Sequence, residues 1–281
     1  MAPRELPSID LVVATVDRVD EVERLLTSLE AQTHRAFRVL LVDQNDDDRL
    51  RPVLAGHPVL DLSHVRAARG LSHARNAALR ALGCEIVAFP DDDCVFAPDL
   101  LERVSRRFAL DPGLDGLTGR AVDNDGRSSE SWARDATRLT RENLWNRAIS
   151  FTIFLRRSLV DHVGPFDEQL GLGAAGPWSS GEETDYLVRA LGDGSRIEYD
   201  PTLVVRHDEK ELSPSELSSI GVRDGASLGY ILRKHRYPLR TVGGMLIRPL
   251  GGALLAAARR DGTSARFHLS TFRGRLLGYR S

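Results

Sequence analysis

Apolar runs and amphipathic stretches alternate along the first half of the chain. Ile9 to Ala14 is an apolar run suited to a buried parallel strand, and Asp20 to Gln32 places Val22, Leu25, Leu26 and Leu29 on one helical face. Arg38 to Val42 reads as a second strand that stops at Asp43. Ser72 to Leu82 has helical spacing with Ala74, Ala77, Ala78 and Leu82 inward, and it leads into the short apolar run Ile86 to Phe89, closed by Pro90. Strand and helix in strict alternation predict an α/β fold with a mostly parallel sheet flanked by helices. In such sheets ligands gather beyond the carboxyl ends of the strands, where Thr15, Asp43 and Asp91 to Asp93 fall on one rim.

The second half changes character. Gly116 to Ser131 is polar and turn-rich, as expected of a crossover or hairpin, and Ala148 to Leu155 is an apolar segment that predicts another strand. Gly164 to Ser180, rich in Gly, Pro and aromatics, predicts a loop lining a pocket. Glu182 to Leu191 reads as a short helix, Ile197 to Arg206 as a strand ending at His207, and from Ser213 onward the pattern is helical and basic. We expect a catalytic domain over 1–211, with a nucleotide half of about 1–115 and an acceptor half of about 116–211. A helical extension covers 212–281.

Charge narrows the partners. The 281 residues carry a formal charge of −2, which favours neither nucleic acid nor an acidic ligand. The only lysines are Lys210 and Lys234. The two cysteines, Cys84 and Cys94, offer no metal or disulfide framework, Met1 to Ser8 lacks the apolar stretch of a secretory signal, and no uninterrupted apolar run is of membrane-spanning length. The expected compartment is the cytoplasm.

Asp91-Asp92-Asp93 is the most informative stretch. Two carboxylates spaced Asp-x-Asp at a strand end suit a hard divalent cation that also holds substrate phosphates, and carboxylates this close need cations to offset their repulsion. A solvated acidic turn is the competing reading. Thr15 and Asp43 at strand ends could hydrogen-bond a nucleobase or ribose, or Thr15 and Asp17 could cap the following helix. Arg75, near a helix start at Gly70 to Ser72, could face a diphosphate or pair with a structural carboxylate. Glu182, Glu183 and Asp185 in the first turn of a helix complement its dipole, or supply a general base whose neighbours raise its proton affinity. His207, alone at a strand end, is a ligand only in the company of a metal site.

Several segments carry a family resemblance. Val12 to Arg18, Leu25 to Thr33, Val42 to Asn45, Arg69 to Asn76, Phe89 to Asp93, Val163 to Glu168, Ser180 to Arg189 and Pro201 to His207 are similar, in order, to landmarks of the family 2 inverting glycosyltransferases. That resemblance implies the GT-A fold, the Rossmann-like arrangement of nucleotide-diphospho-sugar transferases. It implies metal-dependent transfer of a sugar from a nucleoside-diphosphate donor to an acceptor hydroxyl, by single displacement with inversion. Thr15, Asp17 and Asp43 would bind the base side of the donor, Arg75, Asp91 and Asp92 the nucleotide or metal shell, and Asp93 with His207 would hold Mg2+ or Mn2+. Glu183 stands where the family usually has Asp as catalytic base, which leaves Asp185 a rival and Glu182 in play. Asp167, Trp178 and Glu182 would face the acceptor.

The donor expected is a UDP- or dTDP-sugar; the acceptor is a glycan, a lipid-linked species or a small molecule. No Lys precedes Lys210, against a nucleotidyltransferase, and no Gly-x-Gly-x-x-Gly follows the first strand, against a dehydrogenase. A non-catalytic sugar-nucleotide binder or scaffold of a polysaccharide assembly complex is the alternative, supported by the Glu at 183. The apolar stretch Met245 to Ala258, with Arg259, Arg260, Arg266, Arg273, Arg275 and Arg280 after it, suits peripheral contact of 240–281 with the inner face of a membrane. Packing on the catalytic domain or on a second copy of the chain would serve the same surface.

Overall fold

The structure is a computed structural model that describes residues 5–128, 132–174, 176–207 and 212–281. Its strands are β1 (Ile9–Thr15), β2 (Phe37–Asp43), β3 (Leu62–Arg66), β4 (Ile86–Ala88), β5 (Cys94–Phe96), β6 (Gly116–Val122), β7 (Thr137–Arg138), β8 (Ile153–Arg156) and β9 (Ile197–His207). Its helices are α1 (Asp20–Glu30), α2 (Arg51–Gly56), α3 (Leu71–Leu79), α4 (Leu100–Leu110), α5 (Arg157–Val163), α6 (Glu182–Gly192), α7 (Pro214–Lys234), α8 (Leu239–Ala258) and α9 (Gly262–Arg280). The strands form one sheet in the order β3-β2-β1-β4-β8-β6-β9-β5, with β7 on β9. β3, β2, β1 and β4 run parallel, β8 is antiparallel to both β4 and β6, and β9 is parallel to β6.

Two compact units emerge. The first comprises Met1–Arg69, His73–Phe166 and Tyr186–Glu209, and the second Gly70–Ser72, Asp167–Asp185 and Lys210–Ser281. In the first, Ile9, Leu11 and Val13 of β1 and Val39 and Leu41 of β2 pack with Leu25, Leu26 and Leu29 of α1 and Leu101, Val104 and Phe108 of α4. Val12, Leu40 and Val42, on the opposite side of the pleat, are also fully buried, so both faces of the sheet are covered.

The expected elements around β1, α1, β2, α3, β4, α6 and β9 are present. α2, β3, β5, α4, β7 and α5 are further elements that the sequence reading did not name: β3 and β5 are five and three residues long, α4 follows a short turn after β5, and α5 follows β8 directly. Gly116 to Val122, within the segment expected to hold a crossover or hairpin, is a strand in the sheet, and residues 129–131 of that segment lie outside the described residues. Its turn-like composition has a packing cause. A Cβ at Gly119 would sit 2.2 Å from the Leu203 carbonyl oxygen, where the β6–β9 register shifts between Thr118 and Arg120. In the segment 148–155 the strand begins only at Ile153, because Ser150–Thr152 forms a 3-10 turn.

In the second unit α9 lies against α7 along a line of glycines. A Cβ on Gly278 would meet the Ala226 carbonyl oxygen at 1.8 Å, and one on Gly229 the Arg275 carbonyl oxygen at 2.1 Å. α8 is long and apolar enough to cross a membrane, by length and composition only. Arg240 and Arg248 interrupt its apolar run.

Helix propensity and packing oppose each other here. Gly278→Ala should lower the thermal midpoint although Ala is favoured in a helix by about 1 kcal/mol, because overpacking costs about 1–3 kcal/mol. Gly251→Ala in α8, with nothing within 4 Å of the added Cβ, should leave the midpoint unchanged or raise it. Calorimetry of the two variants beside wild type checks both signs.

Candidate active site

Register brings the rim carboxylates together. Thr15 is the direct partner of Asp43 across the β1–β2 pair, and Ala14 bridges to Asp91 just beyond β4. The chain then turns into β5, whose Cys94 is paired with His207 on β9. That pairing places the imidazole next to Asp93: His207 Nε2 is 3.0 Å from Asp93 Oδ1. The ring of Phe151 stacks on His207 with centroids 4.8 Å apart and planes 2° from parallel. Asp91, Asp93 and His207 each offer a ligand atom, and these lie within 4.8 Å of one another.

Basic and hydroxyl groups offset the acidic charge. Arg18 Nη1 donates to Asp92 Oδ1 at 2.9 Å and also to Asp93 Oδ2. Arg75 Nη2 donates to Asp91 Oδ1 at 3.2 Å, and the Ser150 hydroxyl donates to the same carboxylate at 3.1 Å. The Arg75 guanidinium is 1% exposed, 5.5 Å from the Phe166 ring centroid and 5.9 Å from that of Phe89. It therefore holds Asp91 from below rather than standing at the surface.

The three acids are electrostatically unequal. Loss of solvent pushes Asp92 up to about 6, against the opposing pull of the nearby Thr15 hydroxyl and the Arg18 charge. Burial would also raise Asp93, but the hydrogen bond and charge of His207 and the charge of Arg18 outweigh it and hold that carboxyl at about 2. Burial disfavours charge on His207, yet the hydrogen bond and charge of Asp93 raise it above its ordinary value. Oxygen and imidazole donors of this kind fit a hard divalent ion such as Mg2+ or Mn2+.

Asp43 is fully buried at the end of β2. Its Oδ1 accepts from the backbone N–H and the side-chain amide of Asn45 at 2.9 and 2.7 Å, and its Oδ2 lies 2.9 Å from His64 Nε2 and 3.4 Å from Arg66 Nη1. Asp17 takes a left-handed backbone conformation, φ 58°, which Asp tolerates well. Its carboxylate pairs with Arg49 at 2.9 Å and Arg69 at 3.0 Å, and its N–H donates to Asn45 Oδ1 at 2.7 Å.

In the second unit Asp167 and Asp185 share one cation. Lys234 Nζ, in the last turn of α7, lies 2.6 Å from Asp167 Oδ2 and 2.6 Å from Asp185 Oδ1. His235 Nε2 approaches the same Asp185 Oδ1 at 2.8 Å, and Asp185 is fully buried. Burial works against charge on Lys234, but its bonds to Asp167 and Asp185 raise its proton affinity, so it stays cationic. Glu182 is buried and Glu183, in the same first turn of α6, is half-buried. Trp178 stacks on Tyr230 with centroids 4.9 Å apart and planes 15° from parallel. The Trp178 carbonyl accepts from Gly171 N–H at 3.0 Å, and the Ser72 hydroxyl donates to the Leu170 carbonyl at 2.6 Å.

Sequence reasoning missed Arg18, His64, Arg66, Ser150, Lys234 and His235. His64 and Arg66 carry a local signal: they alternate toward the end of β3, opposite Leu41 and Asp43. Lys234, one of two lysines in the chain, had rarity alone to mark it.

The model of glycosyl transferase family 2 matches residues 10–164. A pre-mycofactocin glycosyltransferase of Mycobacterium tuberculosis is 25% identical over 290 residues, covering 90% of this chain and 58% of that protein. The glycosyltransferase AglE of Haloferax volcanii is 23% identical over 193 residues, 62% of this chain and 60% of that one. The chain thus spans about three fifths of the length of these curated relatives. Among solved structures, the mannosyltransferase PcManGT from Pyrobaculum calidifontis, in complex with GDP-Man and Mn2+, superposes with a TM-score of 0.64 at 19% identity, covering 97% of this chain and 88% of that one. S. aureus TarS 1-349 in complex with UDP-GlcNAc gives 0.62 at 19% identity, covering 95% and 92%. These likenesses give the fold as GT-A-like, a mixed, mostly parallel sheet with C-terminal helices, and with the family match they make this chain a member of glycosyl transferase family 2.

Proposed function

We propose that the chain transfers a sugar from a nucleoside-diphosphate donor to an acceptor hydroxyl, in one displacement that inverts the anomeric carbon. The convergence of Asp91, Asp93 and His207 within 4.8 Å, on the rim where the parallel strands end, carries this reading. Asp93 and His207, with Asp91 beside them, would hold Mg2+ or Mn2+, which when bound supplies positive charge for the departing diphosphate. The two structural neighbours, one in complex with GDP-Man and Mn2+ and the other with UDP-GlcNAc, support a nucleotide-sugar donor.

Within the chain, Arg75 and Ser150 position Asp91, and the pairing of β5 with β9 positions His207. Thr15 and Asp43 face the base side, where a carboxylate suits the ring N–H of uracil or thymine. Arg18, already on Asp92 and Asp93, offsets their charge before a donor arrives. Asp167, Trp178 and Glu182 serve the acceptor.

Between the rival bases, the ion pairs at Asp185 weigh against Asp185. Lys234 and His235 both compete for the Asp185 oxygen that a hydroxyl proton would need. Asp185 then fixes the first turn of α6, and Glu183 takes the proton from the acceptor hydroxyl. The protein acts in the cytoplasm.

Glu183→Gln should lower transfer by about 10²–10⁴-fold, the usual worth of a general base, and leave donor affinity within about twofold. Asp185→Asn should lower the thermal midpoint and retain more turnover than Glu183→Gln. Steady-state kinetics with donor titrations check this, and the reverse ranking would make Asp185 the base. Donor binding without transfer or hydrolysis by wild type would favour the scaffold reading.

Asp93→Asn should weaken Mn2+ binding in calorimetry by about tenfold or more, and an unchanged isotherm would remove Asp93 from the cation site.

The metal-free Asp93–His207 pair has a pH window. A depressed carboxyl contributes stability above its ordinary value of 3.8 and loses it as pH falls through about 2. A raised imidazole contributes below its ordinary 6.5 and loses it as pH rises through the folded value. His207→Ala should therefore cost more stability in EDTA at about pH 5 than at about pH 8.5. Urea unfolding at both pH values measures it, and equal losses would leave only the stacking on Phe151.

A further inference from the structure

α8 has an apolar face that the second unit leaves uncovered. Val242, Pro249, Ala253 and Ala256 are buried, and Gly252 lies against His268 of α9, where an added Cβ would come within 2.8 Å of the ring. Leu239, Ile247, Leu254 and Leu255 point away, 79%, 63%, 73% and 54% exposed. At about 100° per residue the four spread over about 160° of the helix circumference, on the side away from Val242, Pro249, Ala253 and Ala256. Large apolar side chains gathered on one exposed face mark a surface that another body covers.

Charge identifies that body. Residues 239–281 hold eight arginines and a single acid, Asp261, whereas the preceding 238 residues hold 30 basic and 39 acidic side chains. Arg240, Arg248, Arg259 and Arg260 are exposed on or directly after α8. On α9, Arg266, Leu269, Arg273, Leu277 and Arg280 form a second exposed stripe of mixed basic and apolar residues. A twofold contact between two copies would set arginines against arginines. An anionic bilayer takes both features at once: leucines enter the acyl boundary while arginine stems lie along it with their heads among phosphates.

We infer that the exposed face of α8, with its basic flanks, docks on an anionic lipid surface and lies in the headgroup plane. A crossing orientation is disfavoured although α8 has the length for it, because Arg248 and Pro249 fall at its middle. The inference is independent of the transfer chemistry.

The test is sedimentation of the full chain with vesicles of phosphatidylcholine alone or mixed with phosphatidylglycerol. Wild type should bind the anionic vesicles roughly tenfold or more tightly than the neutral ones. Leu254→Asp with Leu255→Asp should abolish binding, and Arg259→Glu with Arg260→Glu should remove the preference for anionic lipid; both pairs are exposed, and melting curves check that each variant folds. Failure of the wild type to sediment with anionic vesicles overturns the inference. So does a concentration-dependent dimer, seen by light scattering, that the Leu254→Asp, Leu255→Asp variant dissolves without any vesicle binding by wild type.

Discussion

Repulsion among Asp91, Asp92 and Asp93 is the constraint around which the first unit is arranged. Three adjacent acids, two of them buried, cannot share a strand end without cations. The chain answers with a different set of partners for each: buried Arg75 and Ser150 for Asp91, Arg18 for Asp92, and the same Arg18 with His207 for Asp93. The unequal neighbours leave the central acid hard to ionise and the third one easy. Asp93 thus stays ionised within the candidate cation cluster of Asp91, Asp93 and His207.

The second unit meets a similar demand by other means. Asp185 is buried in the first turn of α6; Lys234, in the last turn of α7, neutralises it, and His235 Nε2 lies 2.8 Å from the same oxygen. Lys234 reaches Asp167 as well, so one ammonium ties the loop before α6 to the helix itself. α7 is held in turn by close backbone approach to α9, where glycines leave no room for side chains. Carboxylates that look interchangeable in the string Glu182-Glu183-Thr184-Asp185 thus have different surroundings.

The parallel strands β1, β2 and β4, the helices α1 and α6, and the acids at the strand ends were legible because each rests on a local pattern. Period-3.6 and continuous apolar runs report burial directly, and strand ends report the rim. β6 was not legible, since Gly119, which reads as a turn residue, is there to let the backbone of β9 come close. β3 and β5 are too short for periodicity to register, and they owe their existence to neighbouring strands that complete their hydrogen bonds.

The sequence by itself determined the family, the parallel half of the sheet and the list of candidate acids, because residue type and spacing along the chain suffice for these. Which acids meet which cations was decided only in three dimensions. Arg18 reaches Asp92 across 74 positions, His207 reaches Asp93 through the β5–β9 register, and Lys234 reaches Asp167 across 67 positions. Burial, ion pairing and proton affinity depend on such distant neighbours, and no local pattern encodes them.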